Sequence, residues 1–198
     1  DQAFNSLTVP QENAIEKGLA WLAKHQAKDG SWGAEGGGGS YQMAMSGLAG
    51  LAFLTAGNTP ARGKYSLHIS HTIRWMLRNQ QHGQAFDGLL SGPNEGQTMY
   101  GHGFALTFLS QCYGMDPKDD EAAAPLRNAL IAAVKLTARA QSSLGGWYYS
   151  PDSGQDEGSV TITQVQALRG CANVGIPIPA KVMQNALSYI HKAQNSDG

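Results

Sequence analysis

AIEKGLAWLAKHQAKDGSWG, residues 14–33, is the stretch on which the fold is decided. Ile15, Leu19 and Leu22 recur at helical spacing, while Glu16, Lys17 and Lys24 fall on the other side of the same helix. The helical pattern runs into Gln26, a short polar gap, Asp29-Gly30, then Trp32-Gly33. Beyond it, residues 41–57 read YQMAMSGLAGLAFLTAG and carry no charge. A helix that is apolar all round is buried on all sides. The pair therefore reads as an outer helix with one wet face and an inner, dry one.

The pattern repeats. HTIRWMLRNQQHGQAFDG (71–88) and LRNALIAAVKLTARAQSSLGGWYYS (126–150) are further copies, and KVMQNALSYIHKAQNSDG (181–198) begins a fourth. Gln26, Gln80, Gln141 and Gln194 mark them at spacings of 54, 61 and 53. The repeats cover about 11–60, 65–117, 122–179 and, incomplete, 180–198, within one domain of 1–198. The third outer segment sets Leu130, Val134 and Thr137 against Arg127, Lys135 and Arg139. The inner segments 98–115 and 159–174 carry between them only Arg169. Gly47, Gly50, Gly101 and Gly103 each cost roughly 1 kcal/mol against alanine in a helix, which close backbone approach would explain. Each inner segment stops at glycine followed by proline, at Gly57/Pro60, Gly114/Pro117 and Gly175/Pro177. The spacing predicts seven helices, near 11–26, 41–56, 66–81, 98–113, 122–141, 159–174 and 180–194, and no substantial sheet. Alternating wet and dry helices fit a double ring, the dry ones around a central cavity.

Composition narrows the functions. Fourteen basic residues nearly cancel fifteen acidic ones, and no basic stripe offers the footprint of a nucleic-acid binder. Cys112 and Cys171 lie at equivalent repeat positions and read as buried thiols rather than a disulfide framework. The long uncharged run 36–61 is broken by glycines, polar residues and Pro60, short of the roughly 20 apolar residues a membrane span needs. The chain opens on Asp1, which reads as a processed or trimmed start and fits export after loss of a signal peptide. Gly36-Gly37-Gly38-Gly39 follows a helix and lacks the lysine of a phosphate loop, so it reads as a tether. Asp116-Pro117-Lys118-Asp119-Asp120 reads as a solvated linker capping the next helix.

Gln26 with Asp29-Gly30 and Trp32, Gln141 with Gly145-Gly146-Trp147, Gln194 with Asp197-Gly198 and, in degenerate form, Gln80 with Phe86 resemble one known motif. It is that of the prenyltransferase and squalene-oxidase repeat family, shared by protein prenyltransferase β-subunits and squalene and oxidosqualene cyclases. The resemblance spans 14–198. It implies an all-α α/α toroid, here about three helix pairs plus one helix of a six-pair ring, with an apolar cavity for an isoprenoid or other lipid-like ligand. Tyr41, Met43, Met45, Tyr100, His102, Phe104, Thr161 and Thr163 are the expected lining. Gln26, Trp32, Gln141 and Trp147 read as structural staples.

The chemistries that the resemblance implies are incomplete here. The cyclases' D-x-D-D proton donor aligns with Glu157 at its first aspartate and with Ser159 and Val160 at the adjacent pair, so the donor is missing. The prenyltransferases' zinc set of aspartate, cysteine and histidine is absent, and no metal or other cofactor is expected. His102, at the start of an inner segment, remains a candidate ligand or proton carrier, though a core or rim histidine is the plainer reading. His68 and His71 read as surface histidines. Trp147-Tyr148-Tyr149 beside Asp152, Asp156 and Glu157 suggests a sugar platform with paired carboxylates, as in polysaccharide-active toroids. Glu157, Asp156 and His102 are thus the catalytic candidates, and whether the chain is an enzyme stays open. The rival to the lipid-binding reading is a non-catalytic scaffold for a protein or glycan. Both open ends of a half ring should expose apolar faces, on 41–57 and 159–174, covered by a second copy or by the remainder of a longer chain.

Overall fold

The computed structural model describes residues 7–33, 41–115 and 120–196. The expected tether at 36–39, the core of the linker at 116–119 and the turn at 197–198 lie outside these residues. Among the described residues there are seven α-helices and no strand: α1 Val9–Lys24, α2 Gln42–Thr55, α3 Ser66–Arg78, α4 Thr98–Met115, α5 Asp120–Arg139, α6 Gly158–Asn173 and α7 Ala180–Ala193. A short 3-10 turn, Gln84–Phe86, lies between α3 and α4.

The differences from the expected boundaries have local causes. α1 starts two residues early because Pro10 sits in its first turn, where a missing N–H is harmless. α3 stops at Arg78 rather than near 81 because Gln80 leaves the helix to form an isolated antiparallel bridge with Leu90. α5 starts at Asp120 and carries Pro125 inside it, at the cost of one intrahelical bond.

The dry helices form one row. α4 lies between α2 and α6 and packs against both along its length. All three run the same way, since starts meet starts and ends meet ends. Tyr41 bonds Gln97 and Tyr100 bonds Ser159 near the starts, whereas Gly114 lies against Val174 near the ends. Small residues set the spacing. A Cβ on Gly47 would stand 2.9 Å from the Phe104 carbonyl carbon, and one on Gly103 would stand 2.6 Å from Thr163 Oγ1. The wet helices back this row: α1 and α3 touch α2, α5 touches α4 and α6, and α7 touches α6.

A single turn, used three times, ties each outer helix to the next. Gln26 Nε2 donates to the carbonyls of Gly30 (3.1 Å) and of His68 on α3 (3.0 Å). Gln80 Nε2 does the same to Gly88 (3.1 Å) and Ala129 on α5 (2.9 Å), and Gln141 Nε2 to Gly145 (3.0 Å) and Val182 on α7 (2.9 Å). Each acceptor lies twelve residues before the next marker glutamine. The three glycines share a left-handed backbone, with φ of 103°, 91° and 102°. Each presses on the following outer helix: a Cβ would meet the carbonyl oxygen of His71 at 2.5 Å, of Ala132 at 2.2 Å or of Asn185 at 2.3 Å. No side chain fits there.

The second copy, degenerate in sequence, therefore makes the same contacts. Its turn is longer by the residues around the 3-10 segment, and its glycine partner is Gly88. Two expectations fail here. His68 is not a surface histidine, because its Nδ1 bonds Gln26 Oε1 at 2.6 Å and its ring stacks on Phe53. Ile15, assigned to the buried side of α1, is exposed, while Leu19 is buried.

The two ends of the row also differ, against the expectation of two apolar faces. α2 exposes Tyr41, Met45 and Leu48. The outer stripe of α6 is Ile162, Gln166, Arg169 and Asn173, three of them polar or charged. These occupy the repeat positions of Gly103, Thr107, Ser110 and Gly114, and Gly103, Ser110 and Gly114 are small residues through which α4 receives α6.

Candidate functional site

The common start of the three inner helices is where polar chemistry collects, for a backbone reason. The first N–H groups of any helix lack intrahelical partners. For α6 they are taken by Glu157, which accepts from Ser159 N (3.1 Å) and Val160 N (3.0 Å). For α2 the acceptor comes from another loop: Glu95 Oε1 takes the Met43 amide at 2.6 Å. In α4, Met99 N donates to the Tyr149 carbonyl at 3.1 Å. Two carboxylates and a pair of tyrosines are thus brought to one rim by capping demands.

Between α4 and α6 the rim holds a directed chain of hydrogen bonds. Ser159 Oγ donates to Glu157 Oε2 at 2.6 Å, so its oxygen is left to accept from the Tyr100 hydroxyl, with which it is in close contact. The Tyr149 ring lies 5.8 Å from that of Tyr100, and the Tyr148 ring 4.6 Å from that of Tyr149, both tilted. At the α2 edge, the exposed Tyr41 hydroxyl donates to Gln97 Oε1 at 3.3 Å.

The two carboxylates are pushed in opposite directions. The Ser159 hydroxyl and the Ser159 and Val160 amides hold the Glu157 carboxyl below the usual range, which keeps it charged. Burial raises that of Glu95, against the pull of the Met43 and Gly92 amides. Tyr149 is raised by desolvation and by the Glu157 charge beside it. Opposed carboxyl environments are what acid–base pairs use. Here, however, both groups spend oxygens on helix amides.

The structure separates the three catalytic candidates. His102 is fully buried away from the rim, with Leu90 N donating to its Nδ1 (3.1 Å) and its Nε2 bonded to Thr137 Oγ1 (2.9 Å). An accepting Nδ1 places the proton on Nε2, so the ring is neutral, and burial lowers its pKa to about 4. The repeat explains its presence. Trp32 N donates to Ser46 Oγ (2.9 Å) and Trp147 N to Thr161 Oγ1 (3.0 Å). Leu90 takes the tryptophan position in the second copy and His102 the hydroxyl position. Both indoles also donate back to their own outer helix, Trp32 to the Leu22 carbonyl (2.9 Å) and Trp147 to that of Thr137 (2.7 Å). Asp156 accepts from Ser142 Oγ at 2.8 Å, on the turn after α5.

Of the expected lining, Met43, Thr161 and Thr163 are buried. Thr161 Oγ1 donates to the Glu157 carbonyl (2.8 Å), and Thr163 Oγ1 to that of Val160 (2.8 Å). Tyr41 and Met45 are exposed, and Tyr100 and Phe104 are half-buried. Sequence alone does not mark Glu95 and Gln97, because nothing local in residues 86–97 says that this loop reaches α2.

Cys112 and Cys171 are buried, and burial raises the Cys171 thiol to about 12. Among the described residues no group of three or more His, Cys, Asp or Glu is placed to hold a metal ion. No helix among them is long and apolar enough to cross a membrane. A scan against protein-family models finds no match to this chain, and a search of curated proteins finds none either.

Proposed function

We propose that this chain is a repeat domain of the α/α-toroid type, similar to the prenyltransferase and squalene-oxidase repeats, and that it works by binding. The toroid reading draws on the parallel inner row, the outer helices behind it and the thrice-used glutamine turn. The binding reading draws on what the candidate catalytic groups already do. Glu157 caps α6, Asp156 is tied to Ser142, and His102 is a neutral core residue with both nitrogens engaged.

The ligand surface is the rim at the start of the inner helices, and a carbohydrate suits it best. The observation that carries this is the Tyr100–Ser159–Glu157 chain, which fixes the direction of its hydroxyls, next to the tilted Tyr149 and Tyr148 rings. Aromatic faces offer sugar C–H surfaces a stacking partner, and oriented hydroxyl and carboxylate groups meet sugar hydroxyls. The isoprenoid reading draws on fewer residues, since Met43, Thr161 and Thr163 are enclosed in helix contacts. Calorimetric titration with a panel of soluble oligosaccharides tests the proposal. We expect at least one to bind, with the affinity falling about tenfold or more in Tyr149→Ala and less in Tyr100→Phe. Binding that ignores both substitutions, or none across neutral and acidic glycans, overturns it.

A further inference from the structure

An arginine stands two residues before the marker glutamine at Arg78 and at Arg139, and each locks the turn before it. Arg78 Nη2 donates to the Asp29 carbonyl at 3.0 Å, and Arg139 Nη2 to that of Asp87 at 2.9 Å. These carbonyls lie just ahead of the left-handed Gly30 and Gly88. One arginine at each of these junctions is thus part of the fold. At the first junction three more basic side chains join it.

A hollow of about 150 Å³ is lined by Lys28, Asp29, His71, Arg74 and Arg78, all exposed. His71, Arg74 and Arg78 are three and four residues apart on one face of α3, and Lys28 comes from the turn after α1. Neither later copy repeats the set. Where Lys28, His71 and Arg74 stand, the second copy has Phe86, Ala132 and Lys135, and the third has Ser143, Asn185 and Ser188. Like charges at i and i+4 repel along a helix, so Arg74 beside Arg78 works against α3. Neither they nor Lys28 pair with a carboxylate: the one ion pair among the described residues joins Lys64 to Glu16. Asp29 is the sole acid of the lining, and its Oδ1 accepts from Ser31 N (3.0 Å) and Ser31 Oγ (2.8 Å). Asp87 serves the next turn in the same way, its Oδ1 taking Gly83 N at 2.9 Å. Lys28, Arg74 and Arg78 against Asp29 leave two positive charges in excess.

We propose that this hollow binds a doubly charged tetrahedral oxyanion, a phosphate or sulfate group. Charge sets the valence, since a dianion matches the excess. Size sets the extent, because about 150 Å³ has room for one such group and not for a nucleotide. The donors are available. Arg78 spends one of its five N–H groups on Asp29, and among the described residues Arg74 and Lys28 make no side-chain hydrogen bond. A guanidinium fork meets two oxyanion oxygens at once. The hollow shares no residue with the carbohydrate rim and does not rest on that reading.

Calorimetric titration of the full chain at low ionic strength with inorganic phosphate, inorganic sulfate, acetate and chloride tests the proposal. We expect both dianions to bind saturably at one site, with a Kd on the order of 1 mM, weakening as added salt screens the cations. Acetate and chloride should bind at least tenfold more weakly. Glycerol 3-phosphate separates the two sources of the group: it matches phosphate if the group arrives on a ligand, and falls behind if the free ion is bound. Lys28→Ser with Arg74→Ser installs the residues of the third copy at exposed positions, so the melting temperature should hold while phosphate binding weakens at least tenfold. Arg74→Ser alone should weaken it in part. Lys135→Ser, at the Arg74 position of α5, should leave it unchanged, as should Tyr149→Ala at the rim. No saturable binding of either dianion overturns the proposal, as does acetate that binds as tightly as phosphate. So does phosphate binding that survives the double substitution or is lost equally on Lys135→Ser.

Discussion

At the scale of single residues, His102 shows how a group that looks chemical is explained by packing. Its sequence setting, at the start of a dry helix, allowed a ligand or a proton carrier. What could not be read is that Leu90 replaces a tryptophan and leaves space and an amide that an imidazole satisfies, because that link joins a loop to a helix twelve residues on. The assignment has a pH signature. An unfolded imidazole titrates near 6.5, and this one is lowered to about 4 in the fold. Between these values the unfolded chain holds the additional proton. Stability is therefore complete above the unfolded value and declines as pH falls toward the folded one, by up to about 1.4 kcal/mol per pH unit for this group. His68, lowered by burial and by His71, adds in the same direction. Urea midpoints measured from about pH 7 to about pH 5 should fall, and His102→Thr should flatten most of that slope. Thr keeps an acceptor for Leu90 N, as Thr161 does for Trp147 N, though the lost volume should lower stability by about 2 kcal/mol at neutral pH. An unchanged slope in the variant would show that other groups govern the acid limb.

Among the elements, the outer helices and dry inner segments were legible because periodicity and the absence of charge are local properties. The turns were legible only in the copies that kept the tryptophan. Gly88, in the copy without it, is separated from Gln80 by an insertion that hides the match, yet its backbone and contacts equal those of Gly30 and Gly145. Left-handed glycines in this chain are not equivalent, and substitution should rank them. Gly57 has open space around its Cβ position, so Gly57→Ala should cost about 1 kcal/mol, the strain of the conformation alone. In Gly88→Ala the new carbon would stand 2.2 Å from the Ala132 carbonyl oxygen, and the outer helices would have to part. A loss of about 3 kcal/mol or more is expected in guanidinium unfolding. Equal losses at both positions would mean that α3 and α5 are not held through this turn.

For the molecule as a whole, the sequence could count helices but not say which would be covered, since coverage depends on neighbours distant in the chain. Periodicity alone therefore puts Ile15 inside and an apolar surface on the α6 flank, whereas the structure leaves the first exposed and the second largely polar. The row predicts a gradient of local stability. Among the described residues α4 is covered on both sides, whereas α1 packs chiefly against α2, and sparsely. Hydrogen exchange of native protein should be slowest in α4 and fastest in α1, with α7 also among the faster helices. Uniform protection across all seven would indicate one all-or-none unit instead. The constant register of the glutamine turn has a genetic meaning as well. Because each turn lands twelve residues ahead of the next glutamine, the distance it measures lies wholly inside one unit. Copying or removing a complete unit leaves every remaining landing point in place, while adding a single residue within α5 between Ala129 and Gln141 would turn the landing site away from the glycine that abuts it. On this plan a gene can gain or lose whole units, while the stretch from each landing point to its glutamine is held fixed. The turns and loops outside it take up the length, as they do in the spacings of 54, 61 and 53.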